Sequence, residues 1–236
     1  PEMPRSYEDT IELSTTCYKD ICWVPGAKAW KHTHLDDSRW IFYDALVALP
    51  LWHHSDLTEN ESLKGEIRGQ VLSALRGLGG WAGMDLALHL GNVQSALSSG
   101  FHTVRTLADT QREDGSWPFT PDSTQQHLGT LGDTSSGWVA SKARLLLKFG
   151  RITGDPEAIA AGFKALDYLD TQIRPEGAQT WELQLHVPDV LASSYIMECY
   201  IEAYRISGRE EHLERARYWA LTGLPSSTCG IRPSAP

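Results

Sequence analysis

Cysteine is scarce in this chain of 236 residues. The four present, Cys17, Cys22, Cys199 and Cys229, are too few for a disulfide framework and poorly spaced for a zinc site. Long apolar runs are also missing. The longest, from Trp40 to Trp52, is interrupted by Asp44 and falls short of the ~20 residues that cross a bilayer, so no membrane span is expected. Basic clusters are absent: 21 Lys and Arg face 30 Asp and Glu, a formal charge of −9, which argues against nucleic acid as a partner. No Gly-x-Ser-x-Gly elbow, phosphate loop or Gly-x-Gly-x-x-Gly turn occurs, which excludes α/β hydrolases, nucleoside-triphosphate enzymes and nicotinamide dehydrogenases. No segment alternates convincingly as a strand, and no signal-peptide pattern follows Pro1, which leaves the compartment open.

What the chain does have is helical pattern. With 41% hydrophobic and 22% charged residues it has ordinary globular composition. Segment 60–78 places Leu63, Ile67, Val71, Leu75 and Leu78 on one stripe, the signature of a helix with one buried face. Segments 156–171 and 210–223 read the same way. By contrast 37–54, 137–152 and 189–206 are apolar nearly all round, which predicts helices enclosed by others. A further helix is expected near 84–97.

The two helix styles alternate within an internal repeat. Arg151-Ile-Thr-Gly154 recurs as Arg205-Ile-Ser-Gly208, each after an enclosed helix, where glycine suits the left-handed residue that ends a helix. At the other junction Gln111-Arg-Glu-Asp-Gly115-Ser-Trp117 is echoed by Gln172-Ile-Arg-Pro-Glu-Gly177 and Trp181. Looser copies stand upstream at Gly79-Gly80-Trp81 and from Trp23 to Asp37. Such hairpins close most economically into a ring with enclosed helices inside. The expectation is an all-α domain over 1–225, an incomplete ring of about four hairpins, followed by an irregular tail over 226–236. A straight solenoid would show more evenly amphipathic helices. The open edge of an incomplete ring predicts a homodimer.

The Gln-x-x-Asp-Gly-Ser-Trp loop, and above all Gly177-Ala-Gln-Thr-Trp-Glu-Leu-Gln-Leu-His-Val-Pro-Asp189 before an apolar helix, resemble the six-hairpin glycosidase-like (α/α toroid) proteins. The resemblance is clearest from about 100 to 225. It implies a toroid of six hairpins, of which this chain carries fewer, as a truncated member would. The activities it implies range over glycoside hydrolases, polysaccharide lyases, epimerases and terpenoid cyclases. For the last, the Asp-x-Asp-Asp acid motif is missing; Leu35-Asp36-Asp37 offers only part of it.

Loops leading into parallel enclosed helices gather at one rim, and long loops on a rigid scaffold commonly carry binding. Four such loops, 22–37, 79–85, 111–137 and 172–189, hold most of the candidate chemistry. Hydrolysis of a glycoside needs two carboxyl groups. Glu182 is the candidate acid, its pKa expected to be raised by aromatic surroundings, with Asp133 or Asp37 as base. His186 is the candidate base of a lyase, with His34 as its alternative. Trp181, Trp117, Trp30 and Trp81 are candidate sugar platforms, with Asp189 and His34 as further substrate contacts.

Plainer roles compete with these. Asp189 and Asp133 both stand where helix caps belong, and Asp114 with Gln111 and Trp117 suits a structural pin. Trp40, Trp52, Trp138 and Trp219 read as packing residues. His32-Thr-His34-Leu-Asp36-Asp37 resembles the His-x-His-x-Asp-His motif of metallo-β-lactamase-like hydrolases without its last histidine, and lacks the strand that motif follows. His53, His54, His89, His102, His127 and His212 show no ligand spacing in sequence, so no metal or other cofactor is expected. Taken together, these residues predict a hydrolase acting on a neutral glycan. A polysaccharide lyase or a non-catalytic glycan-binding module are the alternatives.

Overall fold

The computed structural model describes residues 6–31, 41–42, 45–75 and 80–228. The fold is all-α in class, as expected. The chain divides into two compact units, Pro1–Gly100 and Phe101–Pro236. Helix α5 (Val93–Thr110) spans the division.

The first unit contains α1 (Tyr7–Thr16), a π-helical turn (Cys17–Cys22), α2 (Ala45–Leu57), α3 (Glu61–Ala74) and α4 (Gly80–His89). The stripe expected on α3 is inward: Ile67, Val71 and Ala74 are buried, and Asn60 caps the helix by accepting from Leu63 N–H at 3.1 Å. They pack with Cys22, Trp30, Ala48, Leu51 and Leu86 in one core cluster. Strands were not expected here, yet β1 (Trp23–Val24), β2 (Ala29–Lys31) and β3 (Ile41–Phe42) pair antiparallel in that order. Trp23 faces Trp30, and Trp30 faces Phe42. Strands this short leave no alternation to read. The helix expected over 37–54 therefore begins only at Ala45. The one expected near 84–97 is two helices, because Gly91, at φ 79°, turns the chain between α4 and α5.

In the second unit the repeat is plain. Helix α6 (Ser136–Thr153) and α7 (Pro156–Asp170) form one hairpin, α8 (Val190–Ser207) and α9 (Glu210–Thr228) the next, and α6 packs against both α7 and α8. Helix α6 buries Val139, Ala140, Ala143, Leu146, Leu147 and Phe149. Each of its larger aliphatic side chains contributes roughly 1.5–3 kcal/mol by leaving water. Gly154 and Gly208 end α6 and α8 at φ 73° and 69°, and each donates its N–H to the carbonyl four residues back. The paired arginines of the repeat converge: Arg205 Nη1 meets Glu202 Oε1 at 2.8 Å, and Arg151 Nε donates to Glu202 Oε2. Two guanidinium groups thus neutralise one buried carboxylate. Helix α9 runs through Pro225 to Thr228, past the 225 boundary set for an irregular tail.

Candidate functional site

The loops before α6 and α8, 111–135 and 171–189, meet at the N-terminal end of those helices. Backbone bonds join them: Leu185 N–H donates to Leu128 O at 2.7 Å, and Gly137 N–H to Glu176 O at 2.8 Å. Ser136 of α6 holds the second loop as well, accepting from Glu176 N–H at 3.0 Å and donating to Arg174 O at 3.1 Å. Phe119, Leu128 and Leu185 form a buried cluster under the junction, with Trp138 packed against it.

Above that cluster lies a charged chain. His186 Nδ1 is 2.9 Å from Glu176 Oε1 and its Nε2 is 2.8 Å from Asp133 Oδ2. Arg174 Nε donates to the other oxygen of Glu176 at 2.6 Å. Glu176 is the buried end, and Asp133 and His186 are open to water. The hydrogen bonds to Glu176 and then Asp133 raise the His186 pKa above its ordinary 6.5. The bond from His186 in turn holds Asp133 below the usual carboxylate range, helped by Thr134 N–H at 2.8 Å. The arrangement is an imidazole ring clamped between two carboxylates, one of which faces solvent. An open cavity of about 480 Å³ lies in the same first loop, lined by Pro121, Gln126, His127, Gly129, Thr130 and Leu131. The protein-family models and the curated proteins contain no match to this chain.

The residues singled out from sequence fall into several groups. Asp133 and His186 are brought together. Asp133 does not cap α6; Ser135 does, accepting from Trp138 N–H. Glu182 is exposed and accepts from Gln179 Nε2 at 2.9 Å, so the aromatic pocket expected around it is not there. Trp181 beside it is 60% exposed, with its ring available to a ligand. Trp117 is 2% exposed and its Nε1 donates to Leu107 O at 2.8 Å. Trp30 sits at 0% in the core of the first unit. Neither can be a sugar platform, because packing occupies both ring faces.

Asp189 is 2% exposed and acts as the α8 cap, accepting from Leu191 N–H at 2.8 Å. Its second oxygen accepts from Ala178 and Gln179 N–H, at 2.9 and 2.7 Å, and burial keeps the carboxylate from a substrate. His34 and Asp37, with His32 and Asp36, lie outside the described residues, as does the side chain of Trp81. Glu176 and Arg174 escaped the sequence reading. The signal was present in the repeat, where a carboxylate precedes the left-handed glycine in both copies, Asp114-Gly115 and Glu176-Gly177.

Proposed function

We propose that this chain is a carbohydrate-active enzyme built on an incomplete α/α toroid, and that it hydrolyses a neutral glycan where the loops before α6 and α8 meet. The observation that carries the reading is the solvent-facing Asp133 carboxylate, positioned by the His186 ring, whose other nitrogen a second, buried carboxylate holds in place. Hydrolysis of a glycosidic bond needs one carboxylate to activate water or attack the anomeric carbon and one acid to protonate the leaving oxygen. In this reading Asp133 is the carboxylate, His186 a positioning residue for it, and Glu182, exposed in the free chain, the acid once a bound sugar covers it. Trp181 gives a sugar ring an apolar face, and the polar cavity at 121–131 takes neighbouring hydroxyl groups. Side-by-side hairpins, with α6 and α8 touching, support the toroid part of the proposal.

A lyase using His186 as base fits less well, because both ring nitrogens are engaged by carboxylates. The glycan-binding module keeps one observation in its favour: Asp189 and Trp117 are committed to capping and packing. A panel of neutral and uronate-containing glycans separates the readings. Hydrolysis predicts new reducing ends without the ultraviolet absorbance of an unsaturated uronate. Asp133→Asn and Glu182→Gln should each lower turnover by ~10²-fold or more. Turnover unchanged in either variant removes that residue from the pair. Binding without turnover, lost in Trp181→Ala, would establish the module instead.

A further inference from the structure

The first unit assembles three ligand-type side chains that sequence spacing does not connect. His53 and Asp56 stand one turn apart at the end of α2, and His89 is the last residue of α4, which packs against α2. One ligand atom from each lies within 4.8 Å of the other two. His89 Nε2 and Asp56 Oδ2 are 3.3 Å apart. Two ligands at ~2.0–2.1 Å from one tetrahedral zinc are themselves about 3.3 Å apart, so this pair already has chelating separation. The His53 and His89 rings meet edgewise, with centroids 4.7 Å apart and planes at 64°. All three side chains are exposed, so no packing fixes their rotamers.

We infer that His53, Asp56 and His89 form a binding site for a divalent first-row transition ion, with water completing the coordination. Three features of the surroundings suit that ion. The carbonyl ends of α2 and α4 both terminate at the cluster, and a helix C-terminus favours positive charge. Arg68 Nη2 donates to Asp56 Oδ1 at 2.7 Å while its Nε donates to Ser55 Oγ at 3.2 Å. The guanidinium therefore fixes the carboxylate and leaves Oδ2 for the metal, the part an outer-shell partner plays. Arg68 also cancels the charge of Asp56, so affinity has to come from the two imidazole nitrogens. That selects zinc, cobalt, nickel or copper, which accept nitrogen ligands, over calcium or magnesium, which require several oxygens.

Titration of the metal-free chain with Zn²⁺, followed by calorimetry and by thermal unfolding, tests the site. The expected result is one equivalent bound and a higher Tm. His53→Gln and His89→Gln should each weaken binding beyond the ~10–100-fold that loss of an outer partner costs. The double variant should bind none and show no Tm rise, with an unchanged circular dichroism spectrum, since the positions are exposed. Among the described residues of this unit, the Cys17 and Cys22 thiols, whose Sγ atoms are 3.8 Å apart, offer a competing zinc ligand pair. Cys17→Ser/Cys22→Ser should retain the equivalent. The inference is overturned if the wild type binds no Zn²⁺, if the double histidine variant binds as the wild type does, if the serine variant loses the site, or if Ca²⁺ binds equally well.

Discussion

The loops before α6 and α8 are copies of one motif that use equivalent residues in opposite ways. In the first, Gln111 Nε2 bridges Gly115 O at 3.0 Å and Ala161 O at 2.9 Å, tying the loop to α7. In the second, the amide of Gln172 turns to its neighbour Thr171 Oγ1 at 2.8 Å. Asp114 folds back on its own loop, accepting from Ser116 N–H and Oγ at 2.9 and 2.7 Å. Its counterpart Glu176 reaches out to Arg174 and His186. Trp117 is inside, Trp181 outside. One copy serves as scaffold, and the other offers its side chains to the partner loop and to solvent. A repeated motif thus fixes the backbone path twice without fixing the use of its side chains.

The largest expected effect breaks the pair at its tryptophans. Trp117→Ala should destabilise the protein by about 3–5 kcal/mol, the cost of removing a large buried ring and leaving a cavity. Trp181→Ala should change stability by no more than ~0.5 kcal/mol, as exposed substitutions do, while lowering affinity for any glycan that stacks on it. Urea unfolding of the two variants measures the first difference. Equal losses of stability would show that the two loops are not divided into scaffold and surface.

The next effect sharpens the contrast between loops and turns. A Cβ on Gly115 would fall inside contact distance of Lys164 O, and one on Gly177 would meet Leu185 O and Ser135 Oγ. Both also sit at positive φ, 86° and 70°. Gly154 and Gly208, at φ 73° and 69°, have nothing within 4 Å of such an atom. Alanine at Gly115 or Gly177 should therefore cost about 3 kcal/mol, combining backbone strain with overpacking. At Gly154 or Gly208 the strain alone should cost about 1 kcal/mol. Similar values at all four sites would mean that close approach of the loops to α7 and α6 contributes little.

Much of the second unit was legible in the sequence, because its signals are local. Gly154 and Gly208 mark helix ends, Asp155 and Asp189 mark starts, and the apolar spread of α6 and α8 marks enclosure. The first unit was less legible. Leu90 and Val93 bracket Gly91 and Asn92, so the apolar pattern runs on where the helix stops, and β1–β3 are too short to alternate visibly. The candidate site was half legible for a different reason. His186 and Asp133 announce themselves as polar loop residues, but their pairing depends on the register between two loops. That register is set by Leu185 N–H on Leu128 O and by Ser136 on Glu176, contacts that no local pattern encodes. Likewise His53 and His89 become neighbours only through the packing of α4 on α2.

The smallest expected effect concerns the charge clamp, where the two copies meet. Folding raises the His186 pKa above 6.5, so the clamp gives its full stabilisation below that value and loses it as pH rises through the raised one. Asp133 moves the other way. Its contribution is present above 3.8 and is lost as pH falls through its lowered value. Both contributions are complete between the ordinary values of 3.8 and 6.5, and the first fades as pH rises beyond that. Both side chains are substantially open to water, so screening keeps the gain small. Thermal unfolding at about pH 5.5 and about pH 8.5, on either side of the histidine range, should show the wild type losing stability relative to His186→Gln on going alkaline. A difference that stays flat or grows with pH would mean that the backbone bonds and the Ser136 hydroxyl join the loops without help from the clamp. In that case His186 would not position Asp133, and the role given to the imidazole in the proposed site would fall.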